Sequence, residues 1–395
     1  MTKIILSIVI LIATIAIHIY RAKGNKNYIK ELFVGNSKGH VAYLDYFRVL
    51  ATVLVIASHS MAEAVGSGAL TPATTRILQI INAVTLCCDN MFFMISGALI
   101  LNGGSDDENV FVFYRKRLLR ILIPCFAYFT LTEILTYGTA YLKPDMWLEF
   151  IIRFFKNDSA FTPHFWMLLV IIILYLEAPI IRVGLQHMSE RMLDTFVLAI
   201  FIAHGIYTFL PLFGFYFPYM PIIASYTSIF ILGYYMTTDA AMKHYKTFMW
   251  GALISFIIAV VFIFTKADYD NYIYNNSPLA MFMTSAMFLF FRKHSEDIFS
   301  KTNAVIDILA KYSFSILMIH WYVLFILVKQ DIGIGGTNLM VAGGVIVATL
   351  LTVIIGLAIA IVYDNTVVLV LKSIADWIID FFVKIFSRRK DKAVE

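Results

Sequence analysis

Residues 43–60 read YLDYFRVLATVLVIASHS. The stretch is apolar and long enough to enter a bilayer, whose core takes about 20 residues of helix. It nevertheless carries Asp45, Arg48 and His59. From Arg48 to His59 the helix turns about 20° past three full turns, so both side chains leave one face, about 16 Å apart along the axis. Asp45 precedes Arg48 by one turn and Glu63 follows His59 by one turn, so each neighbour lies on the same face and can pair. Ionisable groups inside a membrane are costly and usually face a functional cavity. The bland alternative is that these charges join helices or snorkel to the interface.

Composition sets the class. Of 395 residues, 60% are hydrophobic, 15% aromatic and 14% charged, and mean hydropathy is +0.80. Soluble domains carry about 25% charged residues. The apolar runs are continuous rather than alternating, which points to helices rather than a barrel. The fold class is therefore an all-α polytopic membrane protein. Eleven spans are expected, at 4–20, 44–65, 77–101, 118–142, 165–182, 193–212, 219–237, 247–265, 278–291, 312–329 and 339–363. The first lacks a small-residue cleavage site and reads as an extra N-terminal anchor. The stretch 364–386 reads as an amphipathic helix on the inner surface, closed by Arg388, Arg389 and Lys390. Cys87, Cys88 and Cys125 show no metal-ligand spacing and read as small core residues without a disulfide.

Basic residues favour one set of loops by about three to one, which places residue 1 outside and the C-terminus in the cytoplasm. Arg48 then lies near the cytoplasmic mouth and His59 in the outer half. No segment is long enough for a separate soluble domain. The organisation expected is an anchor and basic linker over 1–39, a membrane bundle over 40–365, and a cytoplasmic tail over 366–395.

Further polar positions follow along the chain. Ser96-Gly97 offers either a close helix contact or a hydroxyl lining a narrow channel. Arg117 and Arg120 share one helix face at i, i+3 and suit a phosphate, although ordinary positive-inside anchoring also puts basic residues there. His164, in Thr-Pro-His-Phe-Trp, sits at a span entrance. His320 lies well inside its span, which favours a polar cavity. Glu177 is a candidate counter-ion. No Walker loop, GxGxxG after a strand, HExxH or GxSxG occurs.

The ordered set Asp45-Tyr-Phe-Arg48 with His59, Phe92-Phe93-Met-Ile-Ser96-Gly97, Arg115-Lys-Arg117-Leu-Leu-Arg120 with Pro124, His164-Phe-Trp166 through Pro179, Phe230-Ile-Leu-Gly233, and Tyr312-Ser313 through His320 resembles acyltransferase family 3. These are integral membrane O-acyltransferases of bacterial surface glycans, here of the stand-alone type. The resemblance covers about residues 40 to 365. It implies ten bundle helices, matching the second to eleventh spans, plus the extra N-terminal helix. It further implies transfer of an acetyl group from cytoplasmic acetyl-coenzyme A to a hydroxyl of a lipid-linked or surface glycan, in the plasma membrane of a bacterium.

By that analogy Arg117 and Arg120, with Arg48 and its neighbour Asp45, hold the donor's phosphates, and the pantetheine arm passes Ser96. His59 acts as general base with Glu63 orienting its ring, or else takes the acyl group first. Asn90, Ser313 and His320 are candidates for the oxyanion or a supporting catalytic role. No permanently bound cofactor and no metal is expected. The partners are acetyl-coenzyme A, the glycan acceptor and membrane lipids, with no nucleic acid, and a homodimer is compatible with this reading. Two alternatives stand beside it. One is a polysaccharide or lipid transporter or flippase, which predicts two related halves that the sequence does not show. The other is the same chemistry with succinyl-coenzyme A, which calls for a cation near the thioester.

Overall fold

Helix starts in this chain follow side-chain caps as much as hydropathy. A computed structural model describes residues 2–25, 27–33, 41–103, 109–138, 146–156, 161–216, 222–274, 276–330 and 338–391. Asn109 accepts from the backbone N–H of Phe111 and Val112, and Asn303 from Val305 and Ile306, satisfying donors that have no partner in a first turn. Two helices therefore begin at Val110 and Ala304, ahead of the apolar runs that locate them in the sequence.

Two helices precede the bundle, α1 (Thr2–Gly24) and α2 (Tyr28–Phe33). Then come α3 (Ala42–Gly66), α4 (Pro72–Thr85), α5 (Cys88–Ile100), α6 (Val110–Tyr137), α7 (Trp147–Lys156), α8 (Trp166–Gln186) and α9 (Glu190–Phe209). The chain continues through α10 (Tyr226–Tyr235), α11 (Asp239–Lys243), α12 (Tyr245–Thr265), α13 (Asp270–Ile273), α14 (Pro278–Lys293) and α15 (Ala304–Lys329). It closes with α16 (Asn338–Tyr363) and α17 (Leu369–Asp391), joined by a π turn over Asp364–Val368.

The protein is an all-α polytopic membrane protein. Eight helical segments are long and apolar enough to cross a bilayer among the described residues, which include no strand. The span expected at 4–20 falls on α1, whose side chains before Ile12 lie outside the described residues. Between the spans expected at 118–142 and 165–182, the described residues 146–156 carry α7, Trp147–Lys156. The spans expected at 219–237 and 278–291 become α10 and α14, of 10 and 16 residues, short of the roughly 20 that a bilayer requires. Both are sheathed by neighbours: α10 buries Ser228 to Gly233, and α14 buries most positions from Pro278 to Leu289.

In lipid, helices associate through close packing rather than through the hydrophobic effect, so small residues mark the tightest crossings. The α5–α10 crossing is the extreme case. A Cβ added at Gly97 would stand 1.8 Å from the Phe230 carbonyl oxygen, and one at Gly233 would stand 2.1 Å from that of Met94. Ser96-Gly97 thus marks a backbone contact. Elsewhere the helices pack through rings: Phe47 of α3 meets Phe288 and Phe291 of α14 at 5.2 and 5.5 Å. The cysteines are buried free thiols.

The tail expected as a separate surface helix runs on from α16 without a break. In the π turn the half-buried Asp364 carboxylate accepts from Tyr128 Oη at 2.9 Å and Ser315 Oγ at 2.6 Å. Arg21 of α1 donates to the Asn365 carbonyl at 2.8 Å, and Tyr312 Oη donates to the Leu32 carbonyl at 2.9 Å. The N-terminal segment is thereby strapped to the turn. Beyond it, Asp376 and Asp380 of α17 hold Arg115 of α6 at 3.0 and 2.6 Å; the side chains of Arg388, Arg389 and Lys390 lie outside the described residues.

Replacing Gly233 by Ala forces α5 and α10 apart and should destabilise the protein by about 1–3 kcal/mol, the usual range for overpacking. A fall in the thermal midpoint of the detergent-purified protein reads this directly. Glu133 of α6 is fully buried and paired with Arg153 of α7 at 3.0 Å. Arg153→Ala strands that carboxylate and should lose about 3–5 kcal/mol in the same assay, much of it regained with Glu133→Gln.

Candidate functional site

Helix α3 carries polar side chains at both ends of the candidate site. Near its start Arg48 donates to Asp45 Oδ1 at 2.8 Å, the pair one turn apart that the spacing predicts. Asp45 is buried and Arg48 keeps 23% of its side chain exposed. Arg120 of α6 and Tyr175 of α8 lie within electrostatic reach of Arg48. Arg117 stands over the Phe113 ring at 5.9 Å, and the buried Arg182 of α8 approaches the same ring at 5.2 Å. Four arginines from three helices therefore gather at one end of the bundle, and Arg120 is exposed. Arg182 escaped the sequence reading because it looked like one more positive-inside residue after Pro179. Arg115, part of the same basic run, is taken up by α17.

Towards the other end of α3, His59 lines a cavity of about 260 Å³ with His164, His320, Asp89, Asn82, Trp166 and Trp321. The His59 ring stacks on His320 at 5.3 Å and meets the edge of Trp321 at 4.4 Å. His164, presented by the 3-10 turn Pro163–Phe165, lies 4.6 Å from His320. His320 is fully buried, and its Nδ1 lies 2.6 Å from the Leu317 carbonyl, which can only accept. That contact places the proton on Nδ1 and leaves Nε2, which has no partner, as an acceptor.

The remaining wall is polar in an ordered way. Asn82 Oδ1 accepts from Ser58 Oγ at 2.8 Å and from Thr85 Oγ1 at 2.7 Å, so its amide hydrogens are the donors left for the cavity. Asp89, at the first turn of α5, accepts from Tyr274 Oη at 2.9 Å. Asn82, Asp89 and Trp321 carried no assigned role in the sequence. Asn82 does show itself as an amide within the apolar run Ile80-Ile81-Asn82-Ala83-Val84, the signal by which a closer reading finds it.

The structure thus brings His59, His164 and His320 together and leaves other candidates elsewhere. Glu63 is exposed, is not among the cavity's lining residues and makes no hydrogen bond to His59; ring packing holds the imidazole instead. Its side chain shares a face with His59 but emerges one turn nearer the helix end. Ser96, Asn90 and Ser313 do not line the cavity either. Glu177 accepts from Thr227 Oγ1 at 2.8 Å. Among the described residues no group of three or more His, Cys, Asp or Glu is arranged to hold a metal ion.

Comparison with known proteins adds one positive finding. No characterised protein and no solved structure matches the sequence. A family model described as an acyltransferase domain matches residues 41–361, which takes in α3 through most of α16 and every residue of both polar clusters. By that match the chain belongs to acyltransferase family 3.

Proposed function

We propose that this membrane acyltransferase moves an acetyl group from cytoplasmic acetyl-coenzyme A to a hydroxyl of a lipid-linked or cell-surface glycan in a bacterial plasma membrane. The convergence of three histidines on one cavity, at the far end of α3 from the arginine cluster, carries the reading. The positive-inside rule puts the arginine end and the C-terminus in the cytoplasm. Arg117 and Arg120, with Arg48 and Arg182 beside them, suit the donor's phosphates. About 16 Å of helix separates Arg48 from His59, a distance suited to a thin arm carrying a thioester.

At the cavity the acceptor hydroxyl attacks the thioester carbonyl carbon while an imidazole takes its proton. His59 is the proposed base and His320, locked by Leu317, supports it. The carbon–sulfur bond then breaks and coenzyme A leaves as a thiolate that takes up a proton. The Asn82 amide is placed to donate to the oxyanion that forms between these steps. No Lys or Arg appears among the residues lining the cavity, which favours a neutral acetyl over a succinyl group. Arg76 is engaged elsewhere, donating to the Ile263 carbonyl and to Gln79.

Purified protein in nanodiscs tests the assignment through acetyl-coenzyme A binding and coenzyme A release. His59→Ala should bind the donor and lower release by about 10²–10⁴-fold, with an unchanged thermal midpoint. Arg120→Ala should weaken donor binding. Wild-type protein that does not bind acetyl-coenzyme A refutes the proposal and favours a transporter.

Asn82→Ala should lower turnover by about 10²–10³-fold at unchanged donor affinity, the usual loss of one oxyanion donor. Acid-quenched single-turnover reactions with labelled donor distinguish direct transfer, which leaves the protein unlabelled, from an acyl-histidine route.

A further inference from the structure

A second and larger cavity, of about 680 Å³, opens beside the first. It lies where the end of α9, the start of α10 and the segment joining α12 to α14 meet. The two cavities share a wall: Tyr274 lines both, and its hydroxyl donates to Asp89 on the histidine side. Tyr226 of the larger cavity packs on Trp166 of the smaller one at 5.5 Å. The rim is held by His204 of α9, whose Nδ1 donates to the Asn276 carbonyl at 2.6 Å and whose Nε2 lies 2.7 Å from Ser228 Oγ.

The lining chemistry is specific. Tyr216, 78% exposed, offers an accessible ring face. Asp268, Asp270, Asn271 and Asn276 bring carboxylates and amides, and no Lys or Arg lines the cavity among the described residues. Aromatic faces bordered by planar acceptors and donors suit a ring whose faces are C–H and whose edges are hydroxyls. The volume falls within the usual range for ligand sites, about 300–1,000 Å³. Partial burial raises the Asp270 carboxyl above its ordinary value, as expected of an incompletely solvated acceptor that gains from hydroxyl donors.

We propose that this cavity is the acceptor subsite, that it seats a neutral or amine-bearing sugar ring, and that it rejects anionic sugars. The inference rests on the acyl-transfer reading of the adjoining cavity. Two carboxylates without a facing cation repel a uronic acid but accept hydrogen bonds from hydroxyls or an ammonium. Tyr274 then stands between donor and acceptor and sets how the sugar hydroxyl enters the histidine cavity.

Four soluble probes test this, the 4-nitrophenyl β-glycosides of glucose, glucosamine, N-acetylglucosamine and glucuronic acid. Protein in nanodiscs with labelled acetyl-coenzyme A is assayed for acetyl transfer to each. The expected result is transfer to the neutral and amine-bearing glycosides and at least tenfold less to the glucuronide. In Asp268→Asn/Asp270→Asn the acceptor KM for the glucoside should rise at least tenfold and discrimination against the glucuronide should shrink, while donor affinity stays at the wild-type value. Tyr216→Ala should raise the same KM. Equal use of the glucuronide, or no change in KM in these variants, overturns the proposal. Donor binding without transfer to any glycoside overturns the subsite and leaves the donor reading standing. Absence of donor binding defeats both.

Discussion

The contact on which both cavities depend is the backbone crossing of α5 and α10. With hydrogens as the only side chains at Gly97 and Gly233, each helix rests on a carbonyl of the other. One turn before Gly97, Phe93 packs on Tyr226 at 4.8 Å, at the start of α10. The first turn of α5 brings Asp89 to the histidine cavity, while Tyr226 walls the larger one. The crossing therefore fixes the distance between the two walls. Since lipid offers no hydrophobic drive for helix pairing, such a contact is among the few means of fixing it tightly.

Much of this was legible in the chain. Arg48 and His59 on one face of α3 follow from 3.6 residues per turn, and the Asp45–Arg48 pair forms as the spacing requires. The roles of His164 and His320 were open in the sequence because nothing local says that two distant spans meet. Glu63 shows the limit of a face argument: periodicity gives direction around a helix, whereas the end of the bundle decides what that direction meets. Helix starts at Val110 and Ala304 lay in Asn caps ahead of the apolar runs. The span expected at 219–237 shrinks to the 10 residues of α10, and α14 fills its expected 278–291, because hydropathy cannot tell burial in protein from burial in lipid.

The polar groups inside this bundle divide into those with fixed partners and those left open. Asp364, Glu133 and Asp45 each have a partner within about hydrogen-bond distance, as groups away from water require. His320 Nε2 is buried without one. A buried nitrogen in that state is costly unless something else meets it, and it faces a neighbourhood of two further imidazoles. Stability argues against that arrangement, and the proposed acyl transfer is what would give it a use.

The π turn over Asp364–Val368 has a consequence for the two ends of the chain. A π turn carries one residue more than an α turn, so α17 is rotated by about 100° from the register that α16 sets. That phase shift is what faces Asp376 and Asp380 towards Arg115. The same turn exposes the Asn365 carbonyl to Arg21 of α1. The first and last helices are therefore both registered to one inserted residue, and shifting the turn to an α register would turn Asp376 and Asp380 away from Arg115.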